Sequence, residues 1–375
     1  MKFVVSSSEF LSHLQAISRA ISSKSQYPIL DCFLLDLQGS MLSITASDLE
    51  VTMTTHLTVD SQGGDNLVAF PSKILLEILR KLPEQPLTFE VNSETLMVDI
   101  VSEKGKYNFV GQPGAEYPEI PSVDETKSNN IQMPASVLLN GITKTLFATA
   151  DDELRPVMNG ILFEIKNESL TFVASDSHKL VRFRRTDITS ENETSFILPK
   201  KPAGLLKNVL VREDSDVQVE YDDKNAIFTL PNYKLVCRLV EGNYPSYEAV
   251  IPQDNPNKAM VDRVELYNTL GRVSIFSNQA SNLIKLHLNN DEMIVSAQDI
   301  DFSVSAFEKQ ACQYNGDEME IGFKSQFLIE ILENVSSAEI NIEMSDPSRA
   351  AIIIPFEKEE NEDELMLLMP MMLNA

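Results

Sequence analysis

Apolar and polar residues alternate along most of this chain, in pairs of short runs separated by polar turns. In "ILDCFLLDLQGSMLSITASD", residues 29–48, Leu35 and Leu37 precede the turn "QGS" and Leu42 and Ile44 follow it. Period-two alternation on both sides of a glycine-containing turn predicts a β-hairpin. Residues 157–176, "VMNGILFEIKNESLTFVASD", repeat this pattern without a gap at an offset of 128. Ile29 matches Val157, Leu30 matches Met158, Leu35 matches Phe163, Leu37 matches Ile165, Leu42 matches Leu170 and Ile44 matches Phe172. A third copy, "IKLHLNNDEMIVSAQD", stands at residues 284–299, an offset of 251. Self-similarity at a fixed period signals one structural unit used several times.

Other elements repeat around the hairpin. Before it lie "SEFLSHLQAISRAI", "PASVLLNGITKTLFAT" and "DRVELYNTLGRVSIF". In the first of these, Phe10, Leu14, Ile17 and Ile21 fall at helical spacing. Ser8 and Ser136, again 128 apart, stand near the predicted helix starts as candidate caps. After each hairpin come a strand, a lysine and a second helical stretch: "AFPSKILLEILRKL", "ILPKKPAGLLKNVL" and "IGFKSQFLIEILENV". The first two copies close on Tyr117-Pro118 and Tyr244-Pro245, and proline-rich linkers follow near 122–130 and 252–258. The pattern predicts an α+β chain of three domains, at 1–125, 129–252 and 256–375, each with two helices against antiparallel sheets.

The repeat bears on "FVASDSHKL", residues 172–180, where Ser175, Asp176, Ser177 and His178 crowd together. Nucleophile, acid and base side by side could be catalytic. Yet "ASD" at 174–176 has a partner in "ASD" at 46–48 and a looser one in "AQD" at 297–299. A turn that closes a strand explains a motif present in every copy, and a single active site does not. What is particular to the second copy lies in Ser177–Leu180.

Composition narrows the classes further. A chain of 375 residues that is 43% hydrophobic has ample core for several domains. The three cysteines, Cys32, Cys237 and Cys312, are far apart and show no zinc or redox spacing, as in a reduced cytoplasmic protein. The start "MKFVVSSSEFLSH" turns polar too early for a secretory signal, and no apolar run reaches the roughly 20 residues of a membrane helix. There is no phosphate-binding glycine loop and no Gly-x-Ser-x-Gly elbow, and the four histidines lack metal spacing, so no cofactor or metal is expected. The pairs Asp151-Asp152 and Asp222-Asp223 read as loop charges, and "EKEENEDE" at 357–364 as a solvated loop.

Charge is unevenly spread. The six predicted helical stretches together carry +7, leaving −32 for the remainder of a chain whose net charge is −25. Two readings fit: a surface that holds a polyanion on its helical face and repels it elsewhere, or lysines placed where helices are exposed. Lysines without base-reading partners would neutralise phosphates without selecting sequence.

The start "MKFVV", "YPIL" at 27–30, "RPVMNGILFE" at 155–164, "VASDSHKL" at 173–180, "EGNYPSYEAVIP" at 241–252, "EMEIGF" at 318–323 and "LMPMML" at 368–373, with three repeats, resemble the bacterial DNA polymerase III β subunits, the sliding clamps. The resemblance covers essentially the whole chain. It implies a head-to-tail homodimer closed into a ring around duplex DNA, non-catalytic, holding the polymerase on its template, and opened by a separate clamp-loader ATPase.

It also implies sites. A pocket for short motifs of partner proteins, the DNA polymerase III catalytic subunit and the clamp loader among them, matches Met158, Ser175, Ser177, His178, Lys179, Leu180, Pro245, Ala249, Val250, Leu367, Leu368, Met369, Pro370 and Met371. Methionines suit a groove that repacks around different peptides. Two basic groups common in the family are replaced here, by Met372 and Ala249, and the chain adds Asn374-Ala375. Lys24 matches a family arginine toward DNA; Arg80, Lys81, Lys200, Lys201, Lys207 and Arg272 are further candidates. The dimer contact is expected to set Tyr107 and Phe109 of one subunit against Ile275 and Phe276 of the other. Two other readings stay open: an enzyme using His178 and Asp176, and a monomeric interaction module.

Overall fold

The computed structural model describes residues 1–22, 27–61, 63, 66–124 and 126–373. Among these are six α-helices: α1 (Ser7–Ser18), α2 (Ser72–Leu79), α3 (Ala135–Leu146), α4 (Lys200–Leu210), α5 (Arg263–Val273) and α6 (Ser325–Asn334). Two helices fall in each sequence repeat. The chain packs as two compact units, one of Met1–Leu139 with Lys201–Leu239, the other of Asn140–Lys200 with Val240–Ala375.

The first unit holds a five-stranded sheet, in the order Asp60–Ser61, Lys2–Ser6, Pro86–Val91, Met97–Val101, Lys106–Val110. It also holds a nine-stranded antiparallel sheet in which Val51–Thr58 of the first repeat pairs with Tyr233–Arg238 of the second, Thr55 opposite Tyr233. The second unit is built alike. Its four-stranded sheet runs Val304–Ala311, Glu292–Asp299, Leu283–Asn289, Met319–Lys324. In its nine-stranded sheet, Lys179–Arg185 pairs with Glu362–Leu368, from Lys179 opposite Leu368 to Arg185 opposite Glu362. The middle repeat thus shares its strands between the two units, and neighbouring repeats join by backbone ladders.

The three predicted hairpins form at the expected places. Their last paired residues are Gln38 with Met41, Lys166 with Ser169 and Asn289 with Glu292, so each turn has two residues. Such a turn matches strand twist when its backbone turns left-handed, and Gly39 at φ 61° and Asn290 at φ 51° supply this.

Helix α1 buries Phe10, Leu14 and Ile17, with Phe10 edge-on to Phe3 and Phe89. Each such side chain stabilises the fold by roughly 2 kcal/mol. Two details differ from the sequence reading. The helix ends at Ser18, so Ile21 lies beyond its last turn. The cap is Ser6, whose hydroxyl accepts from the Glu9 amide at 3.5 Å, while Ser8 and Ser136 lie inside α1 and α3. Ser6 with Glu9 has the spacing of a capping box. In the second unit α5 and α6 pack Leu266, Leu270, Leu328 and Ile331 onto Val181, Ile353, Met366 and Leu368 of the nine-stranded sheet.

Candidate functional site

The other face of that sheet carries a second apolar cluster. Leu162, Val173, Leu180, Ile197, Ile352, Leu365 and Leu367 gather there. Strand alternation decides the membership: Leu180 and Leu367 point to this face, and their neighbours Val181 and Leu368 to the helix side. Residues 240–251 lie over the cluster through Val240, Tyr244, Tyr247 and Ile251. Gly242, at φ 122°, begins this segment. A Cβ there would stand 2.9 Å from the Val157 side chain, so the turn needs glycine. Tyr247 donates its hydroxyl to Glu164 at 2.8 Å; burial, then that hydrogen bond, pushes its pKa up. Pro245, Ala249 and Val250 are exposed on the same segment.

One wall of this cluster is the turn Asp176–His178. Asp176 Oδ1 accepts the amides of His178 and Lys179, each at 2.9 Å. Ser175 Oγ accepts the Ser177 amide at 3.2 Å and donates to the Lys179 carbonyl at 2.9 Å. These bonds hold Ser177 left-handed, at φ 78°. The Ser177 hydroxyl reaches Met158 Sδ at 3.8 Å and receives a short hydrogen bond from Arg155. Burial acts to raise the Asp176 pKa, but the Lys179 ammonium and the two amides outweigh it, and the carboxyl titrates below the usual range.

The other wall is the C-terminal segment. Met369 donates its amide to the His178 carbonyl at 2.8 Å, and Met371 donates to the Gly322 carbonyl at 2.8 Å. Met369 and Met372 are exposed and Pro370 is half-buried. The structure therefore brings together Met158, Ser175, Ser177, Leu180, Leu367 and Met369 with the segment that carries Pro245, Ala249 and Val250. It corrects two expected members: Leu368 and Lys179 sit on the helix side of the sheet, Leu368 in the core and Lys179 in an ion-pair network with Asp176 and Glu330. His178 lies 5.5 Å, ring centre to ring centre, from Phe327. Asp176 spends one oxygen on backbone amides and the other on Lys179, so it does not serve as the orienting acid of a histidine base. Among the described residues no group of three or more His, Cys, Asp or Glu side chains could hold a metal.

The helical cations differ in availability. Arg80 and Lys81 are exposed at the end of α2 and Lys207 is half-buried; none of the three enters an ion pair among the described residues. Lys200 lies 3.7 Å from Asp151. Lys201 donates to Asp48 at 2.6 Å and to the Ala20 carbonyl at 2.8 Å. Arg272 makes a two-pronged pair with Glu308. Lys144 is buried against Glu364, so it adds nothing to a basic surface. Lys24 lies outside the described residues, as do Asn374 and Ala375.

The smaller sheet of each unit also has an edge strand, paired on one side only, beside exposed apolar residues. In the first unit this is Lys106–Val110, with Tyr107 exposed and Phe109 half-buried edge-on against Phe70. In the second it is Val304–Ala311. Ile275 and Phe276 are exposed in this unit, as expected, and so are Ile300, Phe302 (75% exposed) and Phe307, which the sequence reading missed. Their signal was an apolar trio, Ile300, Phe302 and Phe307, in "DIDFSVSAF".

Three family models tile the sequence: the N-terminal, central and C-terminal domains of the DNA polymerase III beta subunit match residues 1–121, 132–246 and 248–372. The chain belongs to the DNA polymerase III β subunit family. It is 26% identical over 374 residues to the beta sliding clamp of Pseudomonas aeruginosa, all of both chains being covered. It is 27% identical over 364 residues to that of Staphylococcus aureus, covering 95% of this chain and 96% of the relative. A Pseudomonas aeruginosa sliding clamp bound to griselimycin superposes with a TM-score of 0.94 at 25% identity over the whole of both chains. The Bartonella birtlesii clamp bound to griselimycin gives 0.93 at 28% identity, again over both full chains. For a β subunit, the three repeats, six helices and antiparallel sheets are the three clamp domains of its family.

Proposed function

We propose that two copies of this chain close head to tail into a ring that encircles duplex DNA and tethers DNA polymerase III and other partners, without catalysing a reaction itself. The match of all three clamp domains, in order and over nearly the full chain, carries this reading. The ring would join the edge strand Lys106–Val110 of one copy to Val304–Ala311 of the next. Unpaired N–H and C=O groups on both strands, with exposed Tyr107, Ile275, Phe276, Phe302 and Phe307 beside them, suit that contact. The domain limits are taken as 1–125, 129–252 and 256–375, and the working place as the cytoplasm. No helix among the described residues is long and apolar enough to cross a membrane.

DNA would be held through its phosphates alone. Arg80, Lys81 and Lys207 are the favoured contacts; Lys24 joins them on the family resemblance, and Lys200, Lys201 and Arg272 come last because all three are already paired. Partner motifs, from the polymerase catalytic subunit and the clamp loader among others, would lie in the groove over Leu180 and Leu367, between Ser177 and Met369. Negative-stain microscopy and native mass together test the proposal. An open ring of about 84 kDa, twice the chain mass of 42.0 kDa, is expected. Compact particles without a hole, of 42.0 kDa at micromolar concentration, would overturn it.

A further inference from the structure

The aspartate turn that recurs in the three repeats is closed the same way each time and differs in what its second oxygen holds. Asp48, Asp176 and Asp299 each use Oδ1 to accept the amides two and three residues on; for Asp299 these are Asp301 at 2.9 Å and Phe302 at 3.3 Å. The other oxygen of Asp48 takes the Lys201 ammonium, and that of Asp176 the Lys179 ammonium. Asp299 Oδ2 instead accepts from an uncharged donor, Asn278 Nδ2, at 3.3 Å. Asp299 is 3% exposed, so water competes little for this bond. Asn278 closes a turn of its own: its Oδ1 accepts the Ala280 and Ser281 amides at 3.0 and 3.3 Å, and its carbonyl accepts the Asn282 amide at 2.8 Å. One bond thus ties two turns together. Beside them Ile275, Phe276, Ile300 and Phe302 all stand exposed, so burial in the core does not place them and the hydrogen bonds of the turns must. Apolar side chains held out on loops that are already ordered suit association, because little freedom is left to lose.

We infer that Asp299 and Asn278 are positioning residues for self-association: their bond sets the two apolar loops where a second copy of this chain meets them. This rests on the ring reading above. The third copy of the repeated turn thereby serves the contact between chains, and breaking its outward bond should loosen that contact while the fold stays intact.

Sedimentation equilibrium of the full-length protein over a range of concentrations tests this, with circular dichroism reporting that each variant is folded. Asp299→Asn keeps an oxygen for the two turn amides but sets an amide donor against the Asn278 donor. Asn278→Asp keeps an oxygen for its own turn but sets a carboxylate against Asp299. Each is expected to raise the dimer dissociation constant about tenfold. The double variant, Asp299→Asn with Asn278→Asp, exchanges donor and acceptor at unchanged net charge and should return to within about threefold of the unmodified protein. Phe302→Asp with Phe307→Asp reports whether this surface is where the chains meet. Weaker association in that control with unchanged association in both single variants would overturn the inference and leave the ring reading standing. So would a single variant that does not fold, or a double variant that associates as weakly as the singles. The mass of one chain for the unmodified protein, or association that ignores the phenylalanine control, would overturn the ring reading and the inference with it.

Discussion

Leu49 and Ser177 stand 128 residues apart and share one backbone twist, φ 79° and φ 78°. Each follows an aspartate, Asp48 or Asp176, whose Oδ1 accepts the two amides that come next. A left-handed leucine costs roughly 1 kcal/mol, and Leu49 is partly exposed, so little packing is lost by trimming it. Leu49→Gly is expected to stabilise the protein by about 0.5 kcal/mol and Leu49→Val to destabilise it by about 1 kcal/mol. Urea unfolding midpoints check the sign, which should reverse between the two.

The same turn predicts an acid dependence. The Asp176 carboxyl is depressed in the folded state, so its contribution is complete above the unfolded value, about 3.9, and is lost as pH falls through the lower folded value. Asp176→Asn should therefore unfold more easily near neutrality, with the difference from the unmodified protein shrinking below about pH 4. Urea titrations across this range measure it.

Lys144 and Glu364 form a buried pair, with the Lys144 ammonium also 5.3 Å from the Phe183 ring centre. Burial raises the Glu364 pKa and is opposed by Lys144. Removing one partner leaves the other charge without compensation, so Lys144→Met is expected to cost about 3 kcal/mol. The double variant with Glu364→Leu should recover most of that loss. A double-mutant cycle in denaturant decides.

All three thiols are free and buried. Burial, then the neighbouring Asp31, pushes Cys32 up to about 11, and burial alone drives Cys237 higher still. A thiol reagent at about pH 8 should find none of them in the folded protein and all three in denaturant. Colorimetric titration counts them.

At the second unit's free edge, Phe302→Asp combined with Phe307→Asp removes apolar surface and leaves the core untouched, since both rings are exposed. On the proposed ring, the unmodified protein should sediment at the mass of two chains and this variant at the mass of one. On the helical side, Arg80→Glu with Lys81→Glu should weaken binding to duplex DNA without sequence preference and flatten its salt dependence by about two units of slope.

Much of this was legible in the residues. The hairpins followed from alternation at Leu35, Leu37, Leu42 and Ile44, because a strand with one buried face writes its period into the sequence. The recurring "ASD" proved to be a repeated turn because Asp48 and Asp176 make the same local bonds. Long-range choices were not legible. Nothing near Lys144 announces that Glu364 will neutralise it from 220 positions away. Nor does "KL" at 179–180 declare which residue faces the groove, since a one-residue shift of register exchanges the two faces. Ser6 as well as Ser8 has the chemistry of a cap, and only the path of the first strand decides that Ser6 takes the place.

The ladders that join repeats have a mechanical consequence. Where Lys179–Arg185 lies against Glu362–Leu368, a pull along the strands loads every bond of the seam together, as in a lap joint. The joint between Val51–Thr58 and Tyr233–Arg238 is made the same way. Such seams are stiff and do not bend like linkers. On the proposed ring, opening would resemble a snap fastener parting at the free edge strands, with these two seams holding while the clasp gives way.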